Sequence, residues 1–203
     1  MVIETLESLQ ALDYSNYEIV AIDDNADDTA LWQPVEAWCR ASGVKFVHLT
    51  DWPGYKSGAL NYALQHVMDS RTEVIGVVDS DYQIDPAFLR ACAPLFTIPK
   101  IGFVQSPQDY RDWEGASFYR RLYFSYRYFF AVSQRSRNER NAAIFAGTMG
   151  LIRRDALEEV GGWNEWCITE DAELSLRLLR NGWSGVEVDP PSARGSCPSP
   201  SKH

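Results

Sequence analysis

The sequence predicts an α/β domain: a mostly parallel sheet, buried on both faces, with helices packed on each side. Three observations carry this. Short apolar runs of β type alternate with helical patterns through the first half of the chain, as βαβ units require. Those runs are dense in Val, Ile and Phe, as strands covered on both faces are. Two of them end directly in aspartates, and in open α/β sheets ligands bind beyond the carboxyl ends of the strands.

The elements follow in order. Residues 3–11 read as a short helix and 17–22 (YEIVAI) as a strand. A helix is expected over 30–41, where Trp32, Val35 and Trp38/Cys39 recur at helical spacing. A strand at 44–49, a helix at 57–68 and a strand at 73–78 come next. Another helix begins after Pro86, a residue suited to the first helical position, and 101–105 (IGFVQ) is a fourth strand. The second half changes character. Residues 114–137 are rich in aromatics and arginine and predict one long helix, with an interfacial or groove-lining role open to it beside that of a core helix. The apolar stretch 143–152 predicts a strand, and 155–160 a short helix ended by Gly161-Gly162. Over 170–181, Ala172, Leu176 and Leu179 share a face, Thr169 can cap the start and Asn181-Gly182 can close the end. The Pro/Ser-rich ending PSARGSCPSPSKH reads as unstructured.

Composition narrows the function. The 203 residues are 45% hydrophobic and 23% charged, the profile of a folded globular domain. Net charge is −9, from 19 basic and 28 acidic side chains, which argues against a nucleic-acid partner because phosphate backbones need a basic face. An acidic chain still binds phosphates through a divalent cation. Aromatics reach 13% and suit both cores and sugar or nucleotide clefts. No run of 18 apolar residues exists, and the first ten residues carry Glu4 and Glu7 rather than a basic leader. The four cysteines form no CxxC pair. Reduced thiols and a cytoplasmic location are the expectation. Three histidines offer little to histidine-based catalysis.

Four groups can carry chemistry. Asp23-Asp24-Asn25 follows the first predicted strand and Asp79-Ser80-Asp81 the third. Asp79 and Asp81 offer oxygen ligands of the kind Mg²⁺ or Mn²⁺ takes alongside a substrate phosphate. A lone acidic pair is more often a turn cap, but two pairs on one rim favour a site. Lys56-Ser57-Gly58 opens a helix, a place where a diphosphate can be held. Thr169-Glu170-Asp171 opens another; acids there are ordinary helix-dipole chemistry, and Asp171 can also serve as a general base.

Taken together, the ordered stretches YEIVAIDDNADDT, GYKSGALNYAL, VVDSDYQIDP, GFVQSPQDYRD, AGTMGLIRRDALEEVGGW and ITEDAELSLRLLRNGW resemble the processive inverting glycosyltransferases of family 2. These have the GT-A fold and include cellulose synthase catalytic domains. NERNA at 138–142 and EWCITEDAE are closer to bacterial β-glucan synthases of the NdvB type. The resemblance implies that Asp24 helps hold uracil and that Lys56 lies near the nucleotide. It implies that Asp79 and Asp81 bind UDP-sugar and the divalent metal, chiefly through Asp81. Asp171 would be the catalytic base, and Gly147, Thr148 and Glu170 would lie on the acceptor side. Gln105 and Gln108 match a stretch near the donor pocket with no assigned role. The implied reaction moves a sugar, glucose by resemblance, from UDP to a growing β-glucan with inversion.

The family pattern also has a first strand of VxVxVPxYNE type and a QxxRW motif, neither of which this chain contains. The resemblance therefore implies a GT-A domain over 1–188, truncated at both ends, with 189–203 as a tail unlike the family. Full-length relatives add membrane helices and work at the cytoplasmic face of the inner membrane. Two alternatives stand beside this reading. One is a non-catalytic remnant that at most binds UDP and metal. The other is a receiver-like phosphoacceptor at Asp79, for which the order of Lys56 and Asp79 is wrong.

Overall fold

The computed structural model describes residues 1–110, 113–114, 116–189 and 193–195. Its centre is a four-stranded sheet in the order β3 (Val74–Val77), β7 (Gly150–Arg153), β5 (Ile101–Gln105) and β8 (Ser184–Glu187). Strands β5 and β8 are parallel, whereas β7 runs antiparallel to both β3 and β5. Three of the four strands thus share one direction, as expected, and the reversed β7 is the departure. Hydrophobic periodicity specifies which side chains face the core and carries no information on strand direction.

Neighbouring residues of these strands feed opposite cores. Ile75, Phe103 and Ile152 join Leu157, Leu174 and Leu178 on one face. Val104 and Leu151 join Tyr82, Phe88 and Phe96 on the other. The first face is covered by α3 (Tyr55–His66), α7 (Arg154–Glu159) and α8 (Glu170–Arg180), the second by α4 (Phe88–Cys92) and the following 3₁₀ turn. Truncating a fully buried leucine such as Leu174 to alanine is expected to cost about 2–5 kcal/mol.

The N-terminal part is a smaller layer. Helix α1 (Val2–Gln10) and α2 (Thr29–Ser42) pack against the parallel pair β1 (Val20–Asp24) and β2 (Lys45–Leu49) around Leu6, Cys39 and Val44. Asp28 caps α2 by accepting from the Ala30 amide at 2.9 Å, and Gly43 closes it in a left-handed conformation. Cys39, Cys92 and Cys167 are free thiols.

The long aromatic helix begins later than expected and is not uniform. It comprises α5 (Ser117–Tyr128), a π-type turn over Phe129–Gln134 and α6 (Arg135–Asn138). The strand expected over 143–152 is shortened to β7. Thr169 makes no side-chain cap to α8. In the expected unstructured tail, Asp189 pairs with Arg135. Ala193–Gly195 forms β9, which joins β4 (Gln83–Ile84) and β6 (Asp109–Tyr110) in a three-stranded sheet. The remaining tail residues, 190–192 and 196–203, lie outside those described, as does Cys197.

Candidate active site

The site is built where three chain segments meet beyond the end of β3. Asp79 follows that strand, and its Oδ1 receives the Lys56 ammonium at 2.5 Å. Lys56 sits in the first turn of α3 and also donates to the Gly147 carbonyl at 3.1 Å. The Asp79 amide donates to Thr148 Oγ1 at 2.8 Å. One lysine and one threonine therefore tie the Asp79 turn to the 146–149 loop.

That loop is buried yet irregular. Gly147 and Met149 have φ of +74° and +55°, so the chain cannot run on as a strand. Its backbone polar groups are met by side chains instead. Gln105, fully buried at the end of β5, donates to the Thr148 carbonyl at 3.0 Å and accepts from the Ala146 amide at 2.8 Å. Gln108 donates to the Ala146 carbonyl at 2.9 Å. Gln134, at the end of the π-type turn, accepts from the Ile144 amide at 3.1 Å and donates to its carbonyl at 2.6 Å. Leaving such buried groups unpaired would cost about 1–3 kcal/mol each.

Asp171 stands on the other side of Gly147. A β-carbon added at residue 147 would lie 2.8 Å from Asp171 Oδ2, so only glycine lets the carboxylate rest against this backbone. Asp171 Oδ1 accepts from the Ala172 amide at 2.7 Å. Ser175, one turn on and fully buried, donates to the Asp171 carbonyl at 2.9 Å and accepts from the Phe145 amide at 2.7 Å. The start of α8 is thereby fixed to the same loop. Glu170 is held above the ordinary carboxylate range, first by burial and then by the negative charge of Asp171 and Asp79, with Lys56 opposing. Lys56, Asp79, Glu170 and Asp171 thus act within one field.

Beside Asp171 opens a cavity of about 400 Å³, walled by Gln108, Tyr126, Phe129, Phe130, Ile144 and Ala146 among others. Tyr82 borders the same region: its hydroxyl donates to Gln108 Oε1 at 3.2 Å, and burial together with Asp81 and Asp79 pushes its pKa up.

Asp24 belongs to a neighbouring corner. It ends β1, and burial together with Asp23 raises its pKa. Asp23 Oδ2 meets His48 Nδ1 at 2.8 Å, and Trp32 stacks on the same imidazole at 4.1 Å. Asn25 (φ +61°) pairs through its side-chain amide with the backbone of Trp52 at 2.8 Å in both directions. The Trp52 indole then donates to the Gly58 carbonyl at 3.1 Å. A β-carbon at Gly58 would collide with the Pro53 carbonyl oxygen, so this glycine lets the Trp52–Gly54 loop sit on α3.

The structure therefore gathers Lys56, Asp79, Gly147, Thr148, Glu170 and Asp171 into one cluster and ties Asp24 to it through Asn25, Trp52 and α3. Sequence reasoning missed Ser175, Gln134, Asn61 and His48. Asn61 holds the Trp163 backbone by two bonds, of 2.8 and 2.9 Å. The legible signal for Ser175 is its spacing four residues after Asp171 on a helix. For Gln105 and Gln134 it is an amide at a position packed among apolar neighbours. The donor set of Asp79 and Asp81 is hard carboxylate oxygen, which fits a divalent cation such as Mg²⁺ or Mn²⁺. Among the described residues no group of three or more His, Cys, Asp or Glu gathers to hold a metal.

The model of a family described as "Glycosyltransferase like family 2" matches residues 1–193. A probable glucomannan 4-β-mannosyltransferase of Oryza sativa subsp. japonica is 29% identical over 188 residues, which are 89% of this chain and 34% of that protein. Glucomannan 4-β-mannosyltransferase 1 of Cyamopsis tetragonoloba is 30% identical over 89% of this chain and 36% of its own length. The chain thus spans about a third of these plant relatives. Among solved structures, the mannosyltransferase PcManGT of Pyrobaculum calidifontis, in complex with GDP-Man and Mn²⁺, superposes with a TM-score of 0.71 at 20% identity, over 97% of this chain and 53% of that one. TarS 1–349 of S. aureus with UDP-GlcNAc gives 0.66 at 18% identity, over 98% and 56%.

Proposed function

The chain belongs to the glycosyltransferase-like family 2 and has the GT-A fold, and from that premise we propose that its aspartate cluster moves a sugar from a nucleotide diphosphate to a carbohydrate hydroxyl with inversion. The observation that carries this reading is the single backbone segment at Gly147, with the Lys56–Asp79 pair on one side and the Asp171 carboxylate on the other.

Each residue then has a task. Lys56 places a positive charge at the donor diphosphate. Asp24 contacts the base at the far end of the nucleotide. Asp81, with Asp79, would hold a divalent cation, Mg²⁺ or Mn²⁺, which offsets charge developing on the departing diphosphate. Asp171 accepts the proton of the acceptor hydroxyl as that oxygen bonds to the anomeric carbon and the bond to phosphate breaks. The acceptor sugar occupies the aromatic-walled cavity beside Ala146 and Asp171, and Gly147, Thr148 and Glu170, their neighbours in the chain, are assigned to the acceptor side.

The sugar expected from motif resemblance was glucose from UDP-glucose, built into β-glucan. The matched relatives are named as β-mannosyltransferases, and a structural neighbour carries GDP-Man, so we place GDP-mannose first and UDP-glucose second. The motif resemblance implies work at a membrane face, and the same site at a membrane face is part of the proposal.

The test is transfer of labelled sugar from GDP-mannose and UDP-glucose to manno- and gluco-oligosaccharides, with Mn²⁺, Mg²⁺ or EDTA. Mannosyl transfer that needs a divalent cation is the expected result. Preference for UDP-glucose would overturn the donor assignment. Nucleotide binding without transfer from either donor would leave a non-catalytic binding domain.

A further inference from the structure

The outer face of α5 has no role in the site, and its chemistry is unlike the rest of the chain. Tyr123 and Phe130 turn inward, Tyr123 stacked on Trp113 at 4.3 Å. On the opposite side Phe118, Phe124, Tyr128 and Val132 are 52, 56, 64 and 48% exposed. Arg120 and Arg121 stand among them and make no ion pair among the described residues. Arg120, Arg121, Phe124 and Tyr128 line an open groove of about 640 Å³ together with Ser117 and Ser125.

Charge identifies the occupant. Residues 117–138 contain five arginines and no aspartate or glutamate, in a chain of net charge −9. A second copy of this face, brought up by two-fold symmetry, would set Arg120 and Arg121 against their own kind. An anionic surface is what the arginines match, and exposed aromatic rings between them match the boundary of headgroups and acyl chains. No described helix is long and apolar enough to cross a membrane; the 12 residues of α5 suit a position in the interface plane.

We propose that α5 and the π-type turn lie flat on an anionic lipid bilayer, with Phe118, Phe124, Tyr128 and Val132 inserted at the interface and Arg120 and Arg121 paired with lipid phosphates. The helix packs Tyr126 and Phe129 against the cavity beside Asp171, so this contact would set that cavity next to the membrane. The proposal stands whether or not the donor assignment does.

The experiment is co-sedimentation of the full chain with vesicles of phosphatidylcholine alone and of phosphatidylcholine and phosphatidylglycerol in equal parts. Arg120→Glu/Arg121→Glu and Phe124→Ser/Tyr128→Ser are the variants, with thermal melting as the control for folding. Binding to the anionic vesicles only, weakened by salt and reduced on the order of tenfold by the arginine reversal, is the expected result. Equal binding to both vesicles, or none to either, overturns the proposal. So does a dimer in solution that dissociates in the variants while lipid binding stays unchanged. Should the double reversal melt, Arg121→Gln alone with a salt titration reads the same charge term: an unchanged salt slope overturns it.

Discussion

Asp23-Asp24 and Asp79-Ser80-Asp81 look alike in the sequence, each an acidic group at the end of a strand, yet the molecule holds them differently. Asp23 is met by His48 from the adjoining strand β2, under the ring of Trp32. All of these lie in the small N-terminal layer. Asp79 is met by Lys56, 23 residues away, and by Thr148, 69 residues away. The first pair reports on one corner; the second ties three distant segments together and lies across Gly147 from Asp171, the proposed base. A change at Asp79 or Asp81 is therefore expected to reach both binding and turnover, and a change at Asp24 binding alone.

The sharpest test of this contrast is Asp171→Asn. It keeps the shape of the cluster and removes the proposed proton acceptor, so transfer should fall about 10²–10⁴-fold while nucleotide affinity, read by calorimetry, stays within about twofold. Next come Asp81→Ala and Asp24→Ala side by side. The first should abolish the divalent dependence of nucleotide binding and lower kcat on the order of a hundredfold. The second should raise the donor KM on the order of tenfold with kcat unchanged. Equal losses of kcat in both would break the comparison. Gly147→Ala probes the wall between the two halves. Its new methyl meets Asp171 Oδ2 on a backbone at φ +74°, and kcat should drop about ten- to a hundredfold with donor binding retained.

The smallest effect concerns a carboxylate with neither kind of partner. Both oxygens of Glu187 are buried with no hydrogen-bond partner among the described residues, and burial, opposed by Arg135, pushes its pKa from 4.5 to about 7. Between those two values the folded chain keeps a proton that the unfolded chain has released. Stability from this group is therefore greatest below pH 4.5 and declines as pH rises to about 7. The side chain is partly exposed, so the loss is about 1–2 kcal/mol. Urea melts of Glu187→Gln should lack that slope; an unchanged slope would assign it elsewhere.

Much of this was legible because it depends on local pattern. IGFVQ is a strand with the expected limits, and α8 lies within a residue of them. The Lys56, Asp79 and Asp171 positions were visible as polar groups at element ends. The 143–149 stretch misled because AIFAGTM is as apolar as a strand. Its amides are satisfied by Gln134, Ser175 and Gln105 rather than by a neighbouring strand, an arrangement that no local pattern encodes. Strand order was hidden for the same reason: β7 lies between β3 and β5 although it comes after both. The His48–Asp23 contact was invisible because it depends on the register of β1 against β2, which places those residues opposite each other.

Gly147 offers its carbonyl to the lysine beside Asp79 and its bare α-carbon to Asp171. The spacing between the Lys56–Asp79 pair and Asp171, the proposed donor anchor and base, is thereby written into the covalent frame of one residue, not into the fit of neighbouring side chains. Pocket walls around it are free to change by mutation without lengthening the path of attack. On the proposed function, a lineage with this ruler would exchange one sugar for another by altering cavity walls such as Tyr126, Phe129 or Ile144, and keep the same stereochemical outcome throughout.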